Sequence, residues 1–319
     1  MSCDLRERAL AQGSWQNRVS HLRSYISFTI FFNVEDFPLH LGVLIRFISL
    51  LSRGPGSYDS ACNMISSLKY FTEFLDPPSV KLFDSVYVSA SLKGLKALLD
   101  RPARQKLPLS IKHLCLFYNY LDLSSMVHLS CWCAMLLAFF GCFRLSNLVP
   151  LSKGKFDPFK HLIRDDLVFE KDMILIFYKW SKTNQHCRKV SWIPIFSVSD
   201  HRFDIKSHFM ILFKHVNVSR NSPLFSYSES EFHSRHSLVS LLDKCLFHSG
   251  LKPSDFSWHS FRRGSAMFAF ELGIADSAVQ LLGDWSSMAF KRYLEYTFVR
   301  KSEIANKIAK SFDKQVKYL

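Results

Sequence analysis

The chain has 319 residues, of which 48% are hydrophobic and 21% charged, so it can bury a sizeable core and is unlike a disordered chain. Its 41 lysines and arginines exceed its 27 aspartates and glutamates, and the formal net charge of +14 favours a polyanionic partner. Charge alone does not separate DNA from RNA or an anionic membrane surface. The most apolar run, residues 129–143, is shorter than the roughly 20 residues that span a bilayer.

Cysteine usage and the first residues both bear on the compartment. The eight cysteines form no CxxC pair and no zinc-finger spacing, and several lie in apolar stretches, where cysteine acts as a small core residue. Residues 1–16 are polar and charged, unlike a secretory signal peptide. We therefore expect an intracellular protein with reduced thiols and no membrane segment.

The N-terminal third is predicted to be helical. Apolar residues recur at spacings of three and four between residues 14 and 99. Residues 52–57 interrupt this pattern, and Ser60 is the predicted cap of the helix that follows. That helix is predicted to end at Asp76, because two prolines come next. Residues 101–108 are basic, contain two prolines and lack periodicity, so they are the predicted interdomain linker.

The rest of the chain is predicted to be helical on either side of a small sheet. Ser110 opens one predicted helix, and Ser124 or Ser125 opens an apolar helix that ends near Phe143. Three antiparallel strands are predicted at residues 167–169, 173–178 and 189–195, with turns at 170–172 and 181–187. Helical periods return at residues 209–215, 238–247, 260–272, 276–282 and 287–296. The expected fold is mainly α with a small antiparallel β-sheet (α+β), with a helical domain at residues 1–103 and an α+β domain at residues 104–319.

Two cations stand where an anionic ligand would suit them. Arg144 directly follows the apolar run, and its burial is costly unless an anion pairs with it. The alternative is a solvated helix C-terminus, where the helix dipole favours a cation. Lys182 lies in the predicted hairpin turn, from which its ammonium can reach a ligand, although lysines in turns are usually just solvated.

Two further features lie near the C-terminus. His259 and Arg262 are three residues apart at a predicted helix start, so they share a face that suits a phosphate; a histidine cap with a surface arginine is the alternative. Tyr293 lies two turns into a predicted helix that follows Gly283, the predicted C-terminal cap of the preceding helix. A tyrosine on such a helix is more often part of a core than a nucleophile, so no single feature decides the function.

The order of these features along the chain resembles the tyrosine recombinase (phage integrase) family. That order is an arginine, a hairpin lysine, His-x-x-Arg, Leu-Gly and a tyrosine. The family's tyrosine falls nine positions after the residue that follows Leu-Gly, which selects Tyr293 over Tyr296. Three sequence motifs are most similar to those of recombinases of eukaryotic mobile elements, the DIRS-like, Ngaro-like and Crypton groups. These motifs are Arg-Leu-Ser-Asn-Leu, Trp-Ser-Lys-Thr-Asn-Gln and Leu-Gly-Asp-Trp-Ser-Ser. The resemblance covers about residues 104–300, and the N-terminal helices look like the family's SAM-like core-binding (DNA-clamp) domain.

The resemblance implies a catalytic set of Arg144, Lys182, His259, Arg262 and Tyr293. Tyr293 would attack a DNA phosphodiester, and two guanidiniums would stabilise the charge that builds on its non-bridging oxygens. His259 matches the family's acid/base position, and Lys182 matches the general acid that protonates the leaving 5′-hydroxyl. The 3′-phosphotyrosyl link conserves bond energy, so neither ATP nor a metal ion nor another cofactor is required. The implied partners are double-stranded DNA and, in the synapse, a homotetramer, with no small-molecule substrate.

The sequence also departs from the family pattern. After Leu-Gly the family often has a histidine or tryptophan that hydrogen-bonds the phosphate, but here Asp284 stands there with Trp285 next to it. Since a carboxylate repels phosphate, the indole N–H of Trp285 is the predicted contact. The acid that often follows the first arginine by three residues is replaced by Asn147. These departures motivate an alternative, a catalytically inactive DNA-binding protein that retains the fold.

Two expectations concern the surroundings of the protein. The basic tail, residues 291–319, is predicted to form a helix that docks on a neighbouring subunit or on its own domain. A recombinase in a eukaryote would act in the nucleus. A basic helical scaffold without a DNA role would require all five motif matches to be accidental.

Overall fold

The computed structural model describes residues 12–99, 105–179, 191–283, 285 and 306. The chain divides into two compact units, Met1–Arg104 and Gln105–Leu319. In the described ranges, no helix is long and apolar enough to cross a bilayer. Three predicted site residues, Lys182, Asp284 and Tyr293, lie outside the described residues, as do the second hairpin turn, the predicted helix at 287–296 and almost all of the tail.

The described part of the first unit is helical, as predicted. Its α-helices are α1 (Gln12–Phe32), α2 (Leu41–Leu51), α3 (Tyr58–Leu75) and α4 (Val86–Leu99), and a 3-10 helix covers Pro77–Asp84. Their apolar faces share one core, in which Tyr25 and Leu44 are fully buried. The predicted cap at Ser60 is wrong, because the extended Ser57 precedes α3 and its hydroxyl accepts a hydrogen bond from the Ser60 amide at 3.2 Å.

A central apolar helix organises the second unit. Helix α5 (Ile111–Tyr120) starts after Ser110 as predicted, and α6 (Met126–Phe140) is buried from Leu129 to Phe139. The predicted end of α6 near Phe143 is wrong, because the helix stops at Phe140 with Gly141 as its cap. A Cβ on Gly141 would overlap the Phe143 ring, so this turn requires glycine.

A three-stranded antiparallel sheet packs on this core. Strands β1 (Leu167–Phe169), β2 (Met173–Tyr178) and β3 (Ser191–Phe196) lie in sequence order, with Leu167 opposite Ile176 and Met173 opposite Phe196. On β2 every second side chain is buried, as the period of a strand requires. The prediction of a mainly α fold with a small antiparallel sheet is confirmed.

Five further α-helices belong to the described part of the second unit. They are α7 (Leu145–Leu148), α8 (Ile205–His215), α9 (Arg235–His248), α10 (His259–Glu271) and α11 (Asp276–Leu282). Residues 105–109, most of which belong to the predicted linker, run along the start of α10: the amide of Leu109 donates to the Ser260 carbonyl at 3.0 Å. A Cβ on Gly264 would overlap the Leu109 carbonyl, so this approach depends on glycine. The end of the predicted linker is thus held against the helix that carries His259 and Arg262.

Candidate functional site

Arg144 does not lie at the end of the apolar helix. Its backbone is extended, and it precedes the short helix α7 as its N-terminal cap residue. The side chain is partly buried, and its Nη1 atom is fully buried without a hydrogen-bond partner among the described residues. A buried guanidinium nitrogen without an acceptor is costly, so this geometry favours an anionic ligand over the solvated helix end.

Arg262 joins three parts of the second unit. It is 3% exposed, and its guanidinium donates to the carbonyls of Cys142 and Gly283. Its Cζ atom also lies over the Trp285 ring, 4.1 Å from the ring centroid. The bond to Cys142 ties Arg262 to the turn that carries Arg144, so two arginines that are far apart in the sequence belong to one site.

His259 begins α10, one turn before Arg262, and its side chain reaches the surface. Its pKa is lowered to about 4 by partial loss of hydration and by the guanidiniums of Arg262, Arg144 and Arg263. The imidazole is therefore neutral at pH 7, and it can accept a proton there. An anion bound between the arginines would offset their charge and raise the pKa of His259 again.

The turn after α11 fits closely around Trp285. Gly283 caps α11 as predicted, and a Cβ there would overlap the Trp285 ring. The turn is closed by two hydrogen bonds: the Trp285 amide donates to the Gln280 carbonyl at 3.1 Å, and Nε2 of Gln280 donates to the Trp285 carbonyl at 2.9 Å. Trp285 is 8% exposed. The structure thus places Trp285 against Arg262, and this bracing was not predicted.

Two other residues at the site were missed by sequence reasoning. Cys142 has a φ of +52° and is fully buried, and its thiol donates to the Ser265 hydroxyl at 3.0 Å. Arg263 is 3% exposed and donates to the Lys106 carbonyl, so it anchors the segment that runs along α10. The Arg262–Arg263 pair was the available signal: neighbours on a helix point about 100° apart, so one of them had to face another part of the fold.

The structure thus assembles Arg144, His259, Arg262 and Trp285, which are spread over more than 140 residues of sequence. Asn147, three residues after Arg144, is buried. Two guanidiniums can hold a tetrahedral oxyanion, and the neutral imidazole beside them can accept a proton from a nearby group. In the described ranges, no group of three His, Cys, Asp or Glu side chains is placed to hold a metal ion.

Comparison with known proteins identifies the fold. No protein-family model matches the sequence, and comparison with curated proteins gives no match. Similar solved structures include the Tn1549 transposon integrase in complex with transposon right-end DNA (TM-score 0.63, 13% identity, 97% of this chain and 98% of that one). The XerH site-specific recombinase bound to palindromic difH substrate matches with a TM-score of 0.62 and 16% identity over 95% of this chain and 82% of that one.

A lambda integrase dimer bound to a COC′ core site is also similar, with a TM-score of 0.58 and 16% identity over 91% of each chain. All three structures are tyrosine recombinases or integrases, and each match runs through both units of this chain. At these identities the likeness establishes the fold, which is that of the tyrosine recombinases.

Proposed function

We propose that the protein is a tyrosine-type DNA strand transferase, a site-specific recombinase or integrase. The observation that carries this proposal is that Arg262 is bonded to the turn that carries Arg144, and that both guanidiniums act on His259. Arg262 is bonded to the turn of Arg144, and Nη1 of Arg144 is buried there without a partner among the described residues. Such a site suits a phosphodiester, whose non-bridging oxygens match two planar guanidiniums.

In the proposed reaction the hydroxyl oxygen of Tyr293 attacks the scissile phosphorus. The neutral imidazole of His259 accepts the tyrosine proton, and the two arginines stabilise the charge on the non-bridging oxygens. The phosphorus–O5′ bond breaks as Lys182 protonates the leaving 5′-hydroxyl. The product is a 3′-phosphotyrosyl link, which a 5′-hydroxyl of a second strand attacks in the reverse of the same step, without ATP or metal.

The partner is double-stranded DNA. Residues 1–103 would act as the SAM-like core-binding (DNA-clamp) domain, and residues 104–319 as the catalytic domain. Both would bind the DNA mainly through its backbone and the shape of its grooves. The net charge of +14 and the DNA-bound state of the similar structures support this partner. The resemblance of the sequence motifs to the family implies a homotetramer on DNA as the active assembly.

A parent mobile element is supported by the likeness to a transposon integrase and by the motif wording, which is similar to the DIRS-like, Ngaro-like and Crypton groups. In a eukaryotic host the protein would then act in the nucleus.

A covalent-trapping experiment tests the proposal. Duplexes that bind the protein in a salt-dependent way are selected from a random library and resynthesised with single-strand nicks tiled along the site. A nick just beyond the cleavage point releases a short fragment, so the attack cannot be reversed and the adduct accumulates on denaturing gels. We expect an adduct with the wild type and with the matched control Tyr296→Phe, and none with Tyr293→Phe.

Each other outcome has a distinct meaning. An adduct that survives Tyr293→Phe and disappears in Tyr296→Phe would show that the nucleophile is Tyr296. Salt-dependent binding without any adduct would identify the alternative function, a DNA-binding protein that has lost catalysis. If no duplex bound the protein in a salt-dependent way, both the recombinase function and the DNA-binding alternative would be overturned.

A further inference from the structure

Cys142 occupies an unusual backbone conformation between the two arginines. It follows the Gly141 cap of α6 and precedes Arg144 by two residues. Its φ of +52° lies in the left-handed region, which is unfavourable for a residue with a Cβ and is commonly left to glycine. A cysteine retained in this conformation needs compensating contacts around it.

The compensating contacts all lead to α10. The Cys142 carbonyl accepts a hydrogen bond from the Arg262 guanidinium. The Cys142 thiol donates to the hydroxyl of Ser265 at 3.0 Å. Because Ser265 lies three residues after Arg262, both partners stand on one face of the helix. One residue thus bonds the Arg144 turn to α10 through its backbone and through its side chain.

The surroundings of Cys142 leave room only for a small side chain. It is fully buried in a cluster with Ala266, Val279 and Trp285, and Trp285 is the residue that stacks on Arg262. A β-branched side chain would crowd this cluster and disfavour the left-handed backbone. The Cys142 carbonyl would then turn away from Arg262.

We propose that Cys142 is a positioning residue, which holds the Arg144 turn on α10 so that Arg144 and Arg262 address the same phosphate. The inference rests on the proposed function, since it assigns the two arginines one anionic ligand. It adds a third residue to the pair formed by Arg144 and Arg262. Cys142 bonds Arg262 and sets the direction of the Arg144 backbone without contacting DNA itself.

Four substitutions separate the parts of this role. Cys142→Ser keeps a small hydrogen-bond donor, so it should retain a rate close to that of the wild type. Cys142→Gly keeps the left-handed backbone and the carbonyl bond to Arg262 but loses the thiol bond, so its rate should fall between those of Cys142→Ser and Cys142→Val. Cys142→Val disfavours the backbone conformation and loses the thiol, and we expect about a 100-fold lower adduct-forming rate constant, the effect of a displacement of about 1 Å at a reacting group. The matched control Cys245→Val alters an equally buried cysteine on α9 and should retain the rate.

Two measurements separate a failure of this positioning role from a failure of the proposed recombinase function. The first is the single-turnover rate constant of adduct formation at saturating protein, with the DNA dissociation constant measured separately, at a temperature where circular dichroism shows every variant folded. We expect Cys142→Val to lower the rate constant while the dissociation constant stays within about threefold, because DNA affinity sums many phosphate contacts and the proposed site would supply only the one at the scissile phosphate. A loss of stability alone would not produce this split.

The second measurement is calorimetric binding of orthovanadate, which mimics the phosphate in the transition state. We expect binding by the wild type, Cys142→Gly and Cys245→Val, and loss of binding in Arg144→Ala and Cys142→Val. This pattern without any covalent adduct would refute the strand-transfer function and leave the positioning role standing. A Cys142→Val variant that binds vanadate like the wild type, or a Cys142→Gly variant as slow as Cys142→Val, would overturn the positioning role.

Discussion

Replacing Gly283 with alanine should push the Trp285 ring off the Arg262 guanidinium. A Cβ at position 283 would overlap the six-membered ring of Trp285. The backbone of Gly283, with φ −92° and ψ 3°, is open to alanine, so the substitution acts through this overlap and not through backbone strain. The ring has little room to retreat, because it is 8% exposed in a cluster with Ala266 and Val279.

The cost follows from two contributions. Moving the ring loses a desolvated cation–π contact, which is worth about 2 kcal/mol. Forcing a methyl group into a packed cluster costs about 1–3 kcal/mol more. Partial relaxation removes some of both, so we expect a loss of about 3 kcal/mol in the free energy of unfolding. For a unit of this size that corresponds to a melting temperature lower by about 6–12 °C.

A double-mutant cycle measures this coupling. Gly283→Ala, Trp285→Ala and the double variant are unfolded in urea, and Gly154→Ala serves as the control, because nothing lies within 4 Å of a Cβ at that position. Once the ring is absent, alanine at 283 should cost less than about 0.5 kcal/mol. The reasoning would be refuted if the two single effects simply added, or if Gly283→Ala were as stable as the control.

Three further outcomes are expected. Arg144→Ala should abolish adduct formation, yet leave the free energy of unfolding unchanged or raise it by about 1 kcal/mol, since it removes a buried donor without a partner; a large destabilisation in urea would contradict this. Burial lowers the pKa of His233 to about 4, so as the pH falls the unfolded chain binds a proton at this residue before the folded chain does. The free energy of unfolding should therefore fall by about 3 kcal/mol between about pH 6.5 and 4 because of this residue. In His233→Gln the midpoint of urea unfolding should depend less on pH across that range. Gly264→Ala should detach the segment at Leu109 from α10, seen as faster amide exchange at Leu109, whereas unchanged exchange would contradict the close approach.

Much of the fold follows from local pattern. The short apolar run at residues 173–178, rich in branched and aromatic side chains and preceded by a turn, predicted β2 with its observed bounds. The return of helical spacing predicted α11. Both elements depend on the order of side chains within a short segment, which the sequence contains directly. Element ends were less predictable: Ser60 was the predicted cap of α3, and only the extended backbone of Ser57 shows that the cap lies three residues earlier.

The sequence by itself determined which chemistry is available: two arginines, a lysine, a histidine and a tyrosine in a recombinase-like order, within a basic chain. The tertiary structure decided how the described members of that set relate. It set Arg144 in an extended turn, because α6 stops at Gly141, and it turned the Cys142 carbonyl toward Arg262. It also stacked Trp285 on that guanidinium. These contacts join residues more than twenty positions apart and depend on where whole helices pack, so no local pattern of residues encodes them.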